Sequence, residues 1–231
     1  MNLLITGTDT DAGKTVLTAA LAAYWRKYCG DRRISILKIV QSGIGDGELY
    51  SQLFGVDIDV VAPLRFKAPI APPLAASQEG KRVDLEVVWQ HYEQLRTQSD
   101  MVLIEGVGGL GTPITYEATV ADLAWDWHLP AVLVVPVKLG AVGQAVANVA
   151  LAKQNRIHLK GIVLNCVQPV TETEIDNWTP VDLIQKLTGV PVLGIVPYLT
   201  NPKDLEELAQ VASCLELERI FPNLLLARQP I

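Results

Sequence analysis

Six short runs of β-branched and leucine residues recur along the chain, and each is typical of a strand that is covered on both faces. The predicted strands span residues 3–6, 34–40, 101–105, 131–137, 159–165 and 190–196. Helical patterns lie between them, at residues 14–28, 85–97, 142–154, 181–187 and 205–212. Strands that alternate with helices of this length predict an α/β fold, with a mostly parallel sheet flanked by helices.

The composition favours one folded domain over residues 1–231. With 49% hydrophobic and 19% charged residues, a chain of this length can bury a full core. One segment of irregular composition, residues 66–80, contains Pro69, Pro72, Pro73 and Gly80 and lies in the middle of the predicted domain. We therefore predict that it is an active-site loop rather than a linker.

Charge and cysteine content narrow the possible partners. A net charge of −6 disfavours nucleic acid as a partner, because nucleic acid needs a basic face, but a small polyanion such as ATP needs only a local positive site.

The three cysteines lack the spacing of zinc sites or disulfide frameworks, which fits a reducing cytosol. The apolar stretch at residues 131–137 is too short to span a bilayer, and no signal-peptide pattern opens the chain. A cytoplasmic protein without membrane partners is expected.

A glycine-rich segment between the first predicted strand and helix reads GTDTDAGKT, residues 7–15. Glycines let backbone N–H groups surround phosphate oxygens, and the helix N-terminus adds a favourable dipole. In such a phosphate-binding loop, Lys14 would reach the β- and γ-phosphates and Thr15 would place its hydroxyl on Mg²⁺. Five residues, rather than the usual four, separate Gly7 from Gly13. The alternative is an ordinary strand-to-helix turn with a solvated Lys14.

GTDTDAGKT resembles the opening motif of the dethiobiotin synthetases, in which the longer loop is normal. Other segments are similar to motifs of that family in matching order: KIVQSG at 38–43, EGVGG at 105–109, VKLG at 137–140, GIVLN at 161–165 and GIVPYL at 194–199. The resemblance covers residues 2–204. The chain departs from the family pattern at Ile39, usually proline, at Val107, usually alanine, and at Cys166, often polar.

The resemblance implies a P-loop fold and an ATP- and Mg²⁺-dependent reaction. One amine of 7,8-diaminononanoate takes up CO₂, ATP activates the carbamate as a carbamic-phosphoric anhydride, and the second amine closes the ring to give dethiobiotin, ADP and phosphate. It also implies a homodimer with each site near the subunit interface. Because such an enzyme acts by positioning its reactants and neutralising charge, lysines are the expected catalytic residues.

Lys38 and Lys14 are the predicted catalytic residues. Lys38 ends the second predicted strand, on the edge that faces the ligand crevice in open α/β sheets. In the family, the matching lysine binds the carbamate and phosphoryl region, whereas by itself Lys38 could be a solvated lysine. The predicted substrate-binding residues are Thr10, Ser42, Gly140 and Ala141. The last two open a helix whose free N–H groups suit the substrate carboxylate.

Thr15, Asp46 and Glu105 supply hard oxygens and are the predicted Mg²⁺ ligands. Glu105 terminates an apolar run, which resembles a Walker B arrangement. Asp46 has competitors in Asp57 and Asp59, and could instead cap the helix that follows it.

The predicted nucleotide contacts come from four parts of the chain. They are Asp11, Ala12, Gly13, Lys14, Thr15 and Val16 in the loop; Asp46; Glu105, Gly106, Val107 and Gly108; and Asn165, Pro197, Tyr198 and Leu199. Asn165 is expected, by resemblance, to contact the adenine edge, because an amide both donates and accepts hydrogen bonds.

Two other classes of protein share such an ATP domain. Partitioning-type ATPase switches usually carry an extra lysine early in the loop, where this chain has residues 8–11, TDTD, and often end in a basic amphipathic helix, for which the tail at 224–231 looks unsuited. Amidotransferase-type ligases need a glutaminase domain, for which this chain has no room.

Overall fold

The structure, a computed structural model, describes residues 1–222 of the chain. Within this part, a central sheet has the strand order β2-β5-β1-β6-β7-β8, and every neighbouring pair is parallel. A second, two-stranded parallel sheet joins β3 to β4. The strands are β1 (Asn2–Gly7), β2 (Ile34–Lys38), β3 (Gln41–Ser42), β4 (Arg65–Phe66), β5 (Met101–Gly109), β6 (Ala131–Pro136), β7 (Leu159–Asn165) and β8 (Val192–Val196).

Helices connect the strands and cover both faces of the central sheet, as the predicted α/β fold requires. They are α1 (Lys14–Tyr28), α2 (Asp46–Phe54), α3 (Ile58–Val61), α4 (Pro72–Gln78), α5 (Leu85–Gln98), α6 (Val120–Asp126), α7 (Ala141–Gln154), α8 (Glu172–Trp178), α9 (Val181–Thr188), α10 (Leu205–Ser213) and α11 (Leu217–Ile220). The sequence-predicted fold class is thus confirmed.

Alternate residues of each strand face opposite layers of the core. Leu3 and Ile5 of β1 pack into the cluster that contains Leu17 of α1 and Leu208 of α10. Leu4, between them, faces the cluster formed with helices α5 and α6. A third cluster packs α7 and α9 against β6 and β7. Because residues 3–7 of β1 are buried, the strand is a firm support for the loop that follows it.

The carboxyl ends of the parallel strands meet at one edge of the sheet. Gly7 pairs with Gly109 and Val134, and Lys38 pairs with Glu105 across β2 and β5. Several of the sequence-predicted site residues therefore start from neighbouring backbone positions. This is the edge at which open α/β sheets bind their ligands.

Three details differ from the predicted elements. β5 continues through Glu105 to Gly109, because its glycines allow close approach to the first loop: a Cβ on Gly109 would lie 3.0 Å from Thr8 O. β2 ends at Lys38, before the predicted end at residue 40. The segment 66–80 is not an irregular loop, since it contains β4's last residue and helix α4, whose first turn accommodates two prolines.

Within residues 1–222, the helices are too short or too polar to cross a membrane. The sequence argument about the tail at 224–231 lies outside the described residues.

Candidate active site

The first glycine loop joins β1 to α1 at the carboxyl edge of the sheet. Gly13, the residue before the helix, has φ 91°, a left-handed conformation that favours glycine. A Cβ at this position would lie 1.9 Å from Asn165 Nδ2. That amide, at the end of β7, donates a hydrogen bond to Ala12 O at 3.1 Å. The loop is therefore anchored to a neighbouring strand, and glycine is required at position 13.

Lys14 bends back over its own loop. Its Nζ donates to the carbonyl oxygens of Asp9 and Thr10, both at 2.9 Å, and the side chain is almost fully buried. Burial lowers the pKa of Lys14 from 10.5 to about 8, and the nearby charge of Lys38 contributes in the same direction. Lys14 is only 3% exposed and its ammonium group is paired with two backbone carbonyls, so the alternative of a solvated Lys14 is wrong.

Lys38 lies between two carboxylates. Its Nζ is 2.5 Å from Asp46 Oδ2, 2.5 Å from Glu105 Oε1 and 3.2 Å from Gly106 O. Burial would lower the pKa of Lys38, but the charges of Glu105 and Asp46 outweigh it and raise the pKa above 10.5. The ammonium form is therefore held at the sheet edge, and the alternative of a solvent-exposed strand-end lysine is wrong because the residue is only 3% exposed.

Three oxygen-bearing side chains from separate elements meet beside Lys38. Thr15 Oγ1 is 2.8 Å from Asp46 Oδ1 and 3.2 Å from Glu105 Oε1. Burial would raise the pKa of Asp46, but Lys38 and the Thr15 hydroxyl lower it below 3.8. A hydroxyl and two carboxylates are hard ligands of the kind that Mg²⁺ uses together with water and phosphate oxygens. The donor set of this cluster thus fits a magnesium ion.

The competing roles for these acids are resolved by the hydrogen bonds. Gly45, rather than Asp46, occupies the cap position of α2, and Asp46 is the first helical residue. The capping alternative for Asp46 is wrong. Asp57 caps α3, and Asp59 pairs with Arg65 on the surface, so neither competes with Asp46.

The predicted substrate-binding residues occupy three places. Ser42 ends β3, and its buried Oγ has no hydrogen-bond partner among the described residues. Thr10 is exposed at the tip of the first loop. Gly140, with φ 88°, precedes α7, and Ala141 begins that helix without a side-chain cap. The Ser42 hydroxyl is therefore free to hydrogen-bond a ligand, and the substrate-binding role of all four residues stays a prediction.

A cleft of about 300 Å³ lies beside the first loop. Its lining includes Gly13, Val16 and Asn165 and the three residues that follow β8, Pro197, Tyr198 and Leu199. Six of the predicted nucleotide contacts, from three parts of the sequence, thus line one depression. Gly106, Val107 and Gly108 belong to the extension of β5, next to the same loop. Asp11 and Ala12 complete the loop tip, Asp11 exposed and Ala12 buried.

The sequence reasoning missed two buried polar residues of α2 and its approach. Tyr50 donates to Glu105 Oε2, and burial, followed by the charge of Glu105, raises the pKa of its phenol well above 10. Gln41 accepts from Gly47 N at 2.7 Å and donates to Glu48 Oε2 at 2.8 Å, which fixes the turn that carries Asp46. The spacing of Asp46 and Tyr50, four residues on one helix, was the available signal.

The amino-acid sequence is similar to those of known proteins along most of its length. A family described as an AAA domain matches residues 1–204. A relative from Gloeothece citriformis, "ATP-dependent dethiobiotin synthetase BioD", is 56% identical over 95% of this chain and 98% of its own. The chain belongs to the dethiobiotin synthetase family. Relatives of the same name from Crocosphaera subtropica and a Synechocystis species are 52% and 50% identical, over 95% and 94% of this chain and 99% and 94% of theirs.

Solved structures agree with the fold of this synthetase family member but differ in sequence. A MinC:MinD cell division protein complex from Aquifex aeolicus aligns over 100% of this chain and 97% of its own, with a TM-score of 0.58 and 16% identity. A ParA family ATPase from Chlorobium tepidum aligns over 96% and 92%, with a TM-score of 0.53 and 15% identity. At these identities the likeness shows a shared P-loop NTPase fold alone, and does not favour the partitioning alternative over the synthetase family.

Proposed function

We propose that the protein is an ATP-dependent dethiobiotin synthetase, which joins 7,8-diaminononanoate and CO₂ into the ureido ring of dethiobiotin and converts ATP to ADP and phosphate. The observation that carries the proposal is the buried Lys38 ammonium, held between Asp46 and Glu105 at the edge of the sheet that also bears the phosphate loop. A fixed positive charge at this position suits a reaction in which negative charge develops on carbamate and phosphate oxygens.

The reaction needs three bond-forming events. An amine nitrogen attacks CO₂ and loses a proton to give a carbamate. A carbamate oxygen then attacks the γ-phosphorus of ATP, and the bond to ADP breaks. The second amine attacks the carbamate carbon, the carbon–oxygen bond to phosphate breaks, and a proton leaves the nitrogen. Phosphate is a good leaving group, so ATP supplies the driving force and the protein mainly positions the reactants.

In this scheme Lys38 is the leading catalytic residue. Its ammonium would shift from the carboxylates toward the carbamate and the transferring phosphoryl group, whose charge it would neutralise. Lys14 would leave the Asp9 and Thr10 carbonyls, at 2.9 Å, for the β- and γ-phosphate oxygens. Both exchanges replace existing hydrogen bonds, so neither lysine is left unpaired while it is buried.

The cluster of Thr15, Asp46 and Glu105 would hold Mg²⁺. When bound, the ion would neutralise charge on the phosphate oxygens and help to position them near Lys38. Thr15 is the second residue of α1, directly after the phosphate-binding loop, while Asp46 and Glu105 approach from α2 and β5. The residues that would hold the cation thus come from three elements that also carry or flank the two lysines.

The other predicted site residues would contact the adenosine part of ATP and the organic substrate. The cleft beside Asn165 and the turn at residues 197–199 would take the adenosine part of ATP, with the glycines of β5 near the phosphates. Ser42 and Thr10 would contact the diamine or its carbamate. The N-terminus of α7 at Gly140 and Ala141 would bind the substrate carboxylate, for which the Ala141 N–H group would exchange its hydrogen bond to Lys138 O, at 3.1 Å. A homodimer with sites near its interface, and a cytoplasmic location, belong to this proposal and rest on the family resemblance.

The test is product formation. Incubation with ATP, Mg²⁺, 7,8-diaminononanoate and ¹³C-bicarbonate should yield dethiobiotin that carries one ¹³C atom, measured by mass spectrometry. Omission of the diamine is the control. Absence of labelled product from a protein that binds ATP would overturn the proposed reaction.

A further inference from the structure

Tyr50 lies beneath the proposed magnesium site and belongs to none of the groups discussed as ligands or catalysts. Its side chain is fully buried on α2. The phenol donates to Glu105 Oε2 and lies 3.4 Å from the carbonyl oxygen of Thr15. A single hydroxyl therefore touches two of the three residues that form the oxygen cluster.

The two oxygens of Glu105 have different surroundings. Oε1 contacts Lys38 Nζ at 2.5 Å and Thr15 Oγ1 at 3.2 Å, on the side of the phosphate loop. Oε2 accepts from Tyr50. Because the carboxylate is itself fully buried, the bond to Tyr50 fixes the rotation of the carboxyl plane and leaves one oxygen facing the site.

The position of Tyr50 on α2 links both acids. Asp46 and Tyr50 are four residues apart, and residues with this spacing lie on the same face of a helix. Asp46 reaches Thr15 and Lys38, while Tyr50 reaches Glu105 from behind. The ring itself borders a small apolar cavity with Ala22, Ile36 and Phe54. The hydroxyl is thus the polar tip of an otherwise apolar side chain, and it is directed at the carboxylate.

We propose that Tyr50 is a positioning residue that holds Glu105 so that only Oε1 is presented to the cation. This inference rests on the proposed function, because it assumes that Glu105 is a ligand of Mg²⁺ in the nucleotide complex. Partners that orient metal-binding carboxylates commonly change metal affinity or activity by about 10- to 100-fold when they are removed. Tyr50 acts through Glu105 and makes no contact with substrate in this scheme.

The test compares Tyr50→Phe with Tyr92→Phe. Tyr92 is also a buried tyrosine, and its hydroxyl accepts a hydrogen bond from Asn2 on the opposite end of β1, away from the site. Each variant therefore loses one buried hydrogen-bonded hydroxyl and keeps its ring. Binding of a non-hydrolysable imido analogue of ATP is measured by calorimetry in EDTA and over a Mg²⁺ series, together with the melting temperature of each ligand-free protein.

Mg²⁺ should increase the affinity for the analogue, and the Mg²⁺ concentration that gives half of this increase is the Mg²⁺ midpoint. We expect Tyr50→Phe to raise the Mg²⁺ midpoint by about tenfold or more. Its affinity for the analogue in EDTA should change little. Tyr92→Phe should leave both quantities within about twofold of the original protein. Tyr50→Phe should melt at a lower temperature, since it leaves the buried Glu105 carboxylate short of a donor, whereas Tyr92→Phe should melt closer to the original protein because its partner Asn2 is only partly buried.

The two possible failures are distinguishable. If Tyr50→Phe melts lower but keeps the Mg²⁺ midpoint of Tyr92→Phe, Tyr50 has only a structural role and the inference is overturned. The other failure has two signs. The original protein binds the analogue no more tightly with Mg²⁺ than in EDTA, and Glu105→Gln has the same affinity as the original protein under both conditions. In that case the proposed metal site is itself wrong, and the inference is overturned with it.

Discussion

Lys38 carries the positive charge around which the acidic residues of the site are arranged. The two carboxylates that contact it at 2.5 Å raise its pKa against the effect of burial, which keeps the ammonium form at neutral pH. An alanine at this position would leave the phosphate loop and the nucleotide cleft intact. It would remove the positive charge that is available to the carbamate.

Lys38→Ala should therefore lower the rate of ring closure by about 10²-fold or more, the effect typical of losing a group that stabilises developing charge. Nucleotide affinity should stay within about tenfold of the original value. Product formation and nucleotide binding are measured side by side, with the exposed surface residue Lys27 changed to alanine as the control. Turnover of Lys38→Ala at the rate of Lys27→Ala would remove Lys38 from the mechanism.

Lys14 leads to a pH dependence whose sign follows from its lowered pKa. In the ligand-free fold the pKa is about 8 instead of 10.5, so the cost of burying the ammonium is fully present below pH 8 and disappears as the pH rises toward 10.5. Polyphosphate oxygens favour the charged form. Above pH 8, nucleotide binding should therefore return a proton to Lys14.

At pH 9, binding of the imido analogue of ATP should be accompanied by uptake of about one proton. The number is obtained from calorimetric enthalpies in buffers that differ in ionisation enthalpy. Uptake should decrease as the pH is lowered toward 7, where Lys14 is already charged. Enthalpies at pH 9 that do not depend on the buffer would contradict this account of Lys14.

At the residue scale, the sequence predicted which side chains would meet at the carboxyl edge of the sheet, but not the hydrogen bonds that fix their positions. Thr15, Lys38, Asp46 and Glu105 come together as their places at strand ends and helix starts suggested, while their chemical roles stay predictions. Tyr50 was not predicted, because its spacing from Asp46 indicates only a shared helix face and does not point to Glu105, which lies on a strand 55 positions further along the chain.

At the scale of elements, the connection between the phosphate loop and β7 deserves a direct test. Gly13 has φ 91°, and its missing side chain leaves room for the Asn165 amide that anchors the loop. Gly30 has φ 61° and nothing within 4 Å of an added Cβ. Alanine at either position would carry the strain of a left-handed backbone, and only at position 13 would its Cβ also clash with a neighbouring side chain.

Gly30→Ala should lower the free energy of unfolding by about 1 kcal/mol through backbone strain alone. Gly13→Ala should cost more and weaken nucleotide binding by about tenfold or more, because the buried Asn165 must move away from Ala12. Denaturant unfolding and nucleotide titration measure these effects. The double variant with Asn165→Ala should recover part of the lost stability. Equal unfolding costs for the two glycine variants would contradict the proposed clash.

The long strands and helices were predictable because their periodicity is strong over many residues, as for α1 and β7, whose observed bounds match the predicted ones. The elements that were missed are short or set by tertiary contacts. β3 and β4 have two residues each, and their pairing depends on the approach of segments more than twenty positions apart. Helix α4 was hidden because its two prolines suggested a loop, whereas proline is well suited to a first helical turn.

For the whole molecule, fold and sequence likeness carry different information. The fold is shared with a MinC:MinD cell division protein complex and a ParA family ATPase at 15–16% identity, and at that identity the likeness shows the fold alone. Family membership at 50–56% identity, together with the Lys38 cluster, points to what ATP is used for. A switch protein would hydrolyse ATP without any need for a diamine or bicarbonate.

The central claim is that ATP consumption is coupled to ring closure. It is tested most directly by following ADP release and ¹³C-labelled dethiobiotin in the same reaction, with the diamine and bicarbonate omitted in turn. The account predicts one ADP for each dethiobiotin formed and almost no ADP when either substrate is missing. ADP release at the same rate without the diamine, and without labelled product, would contradict it.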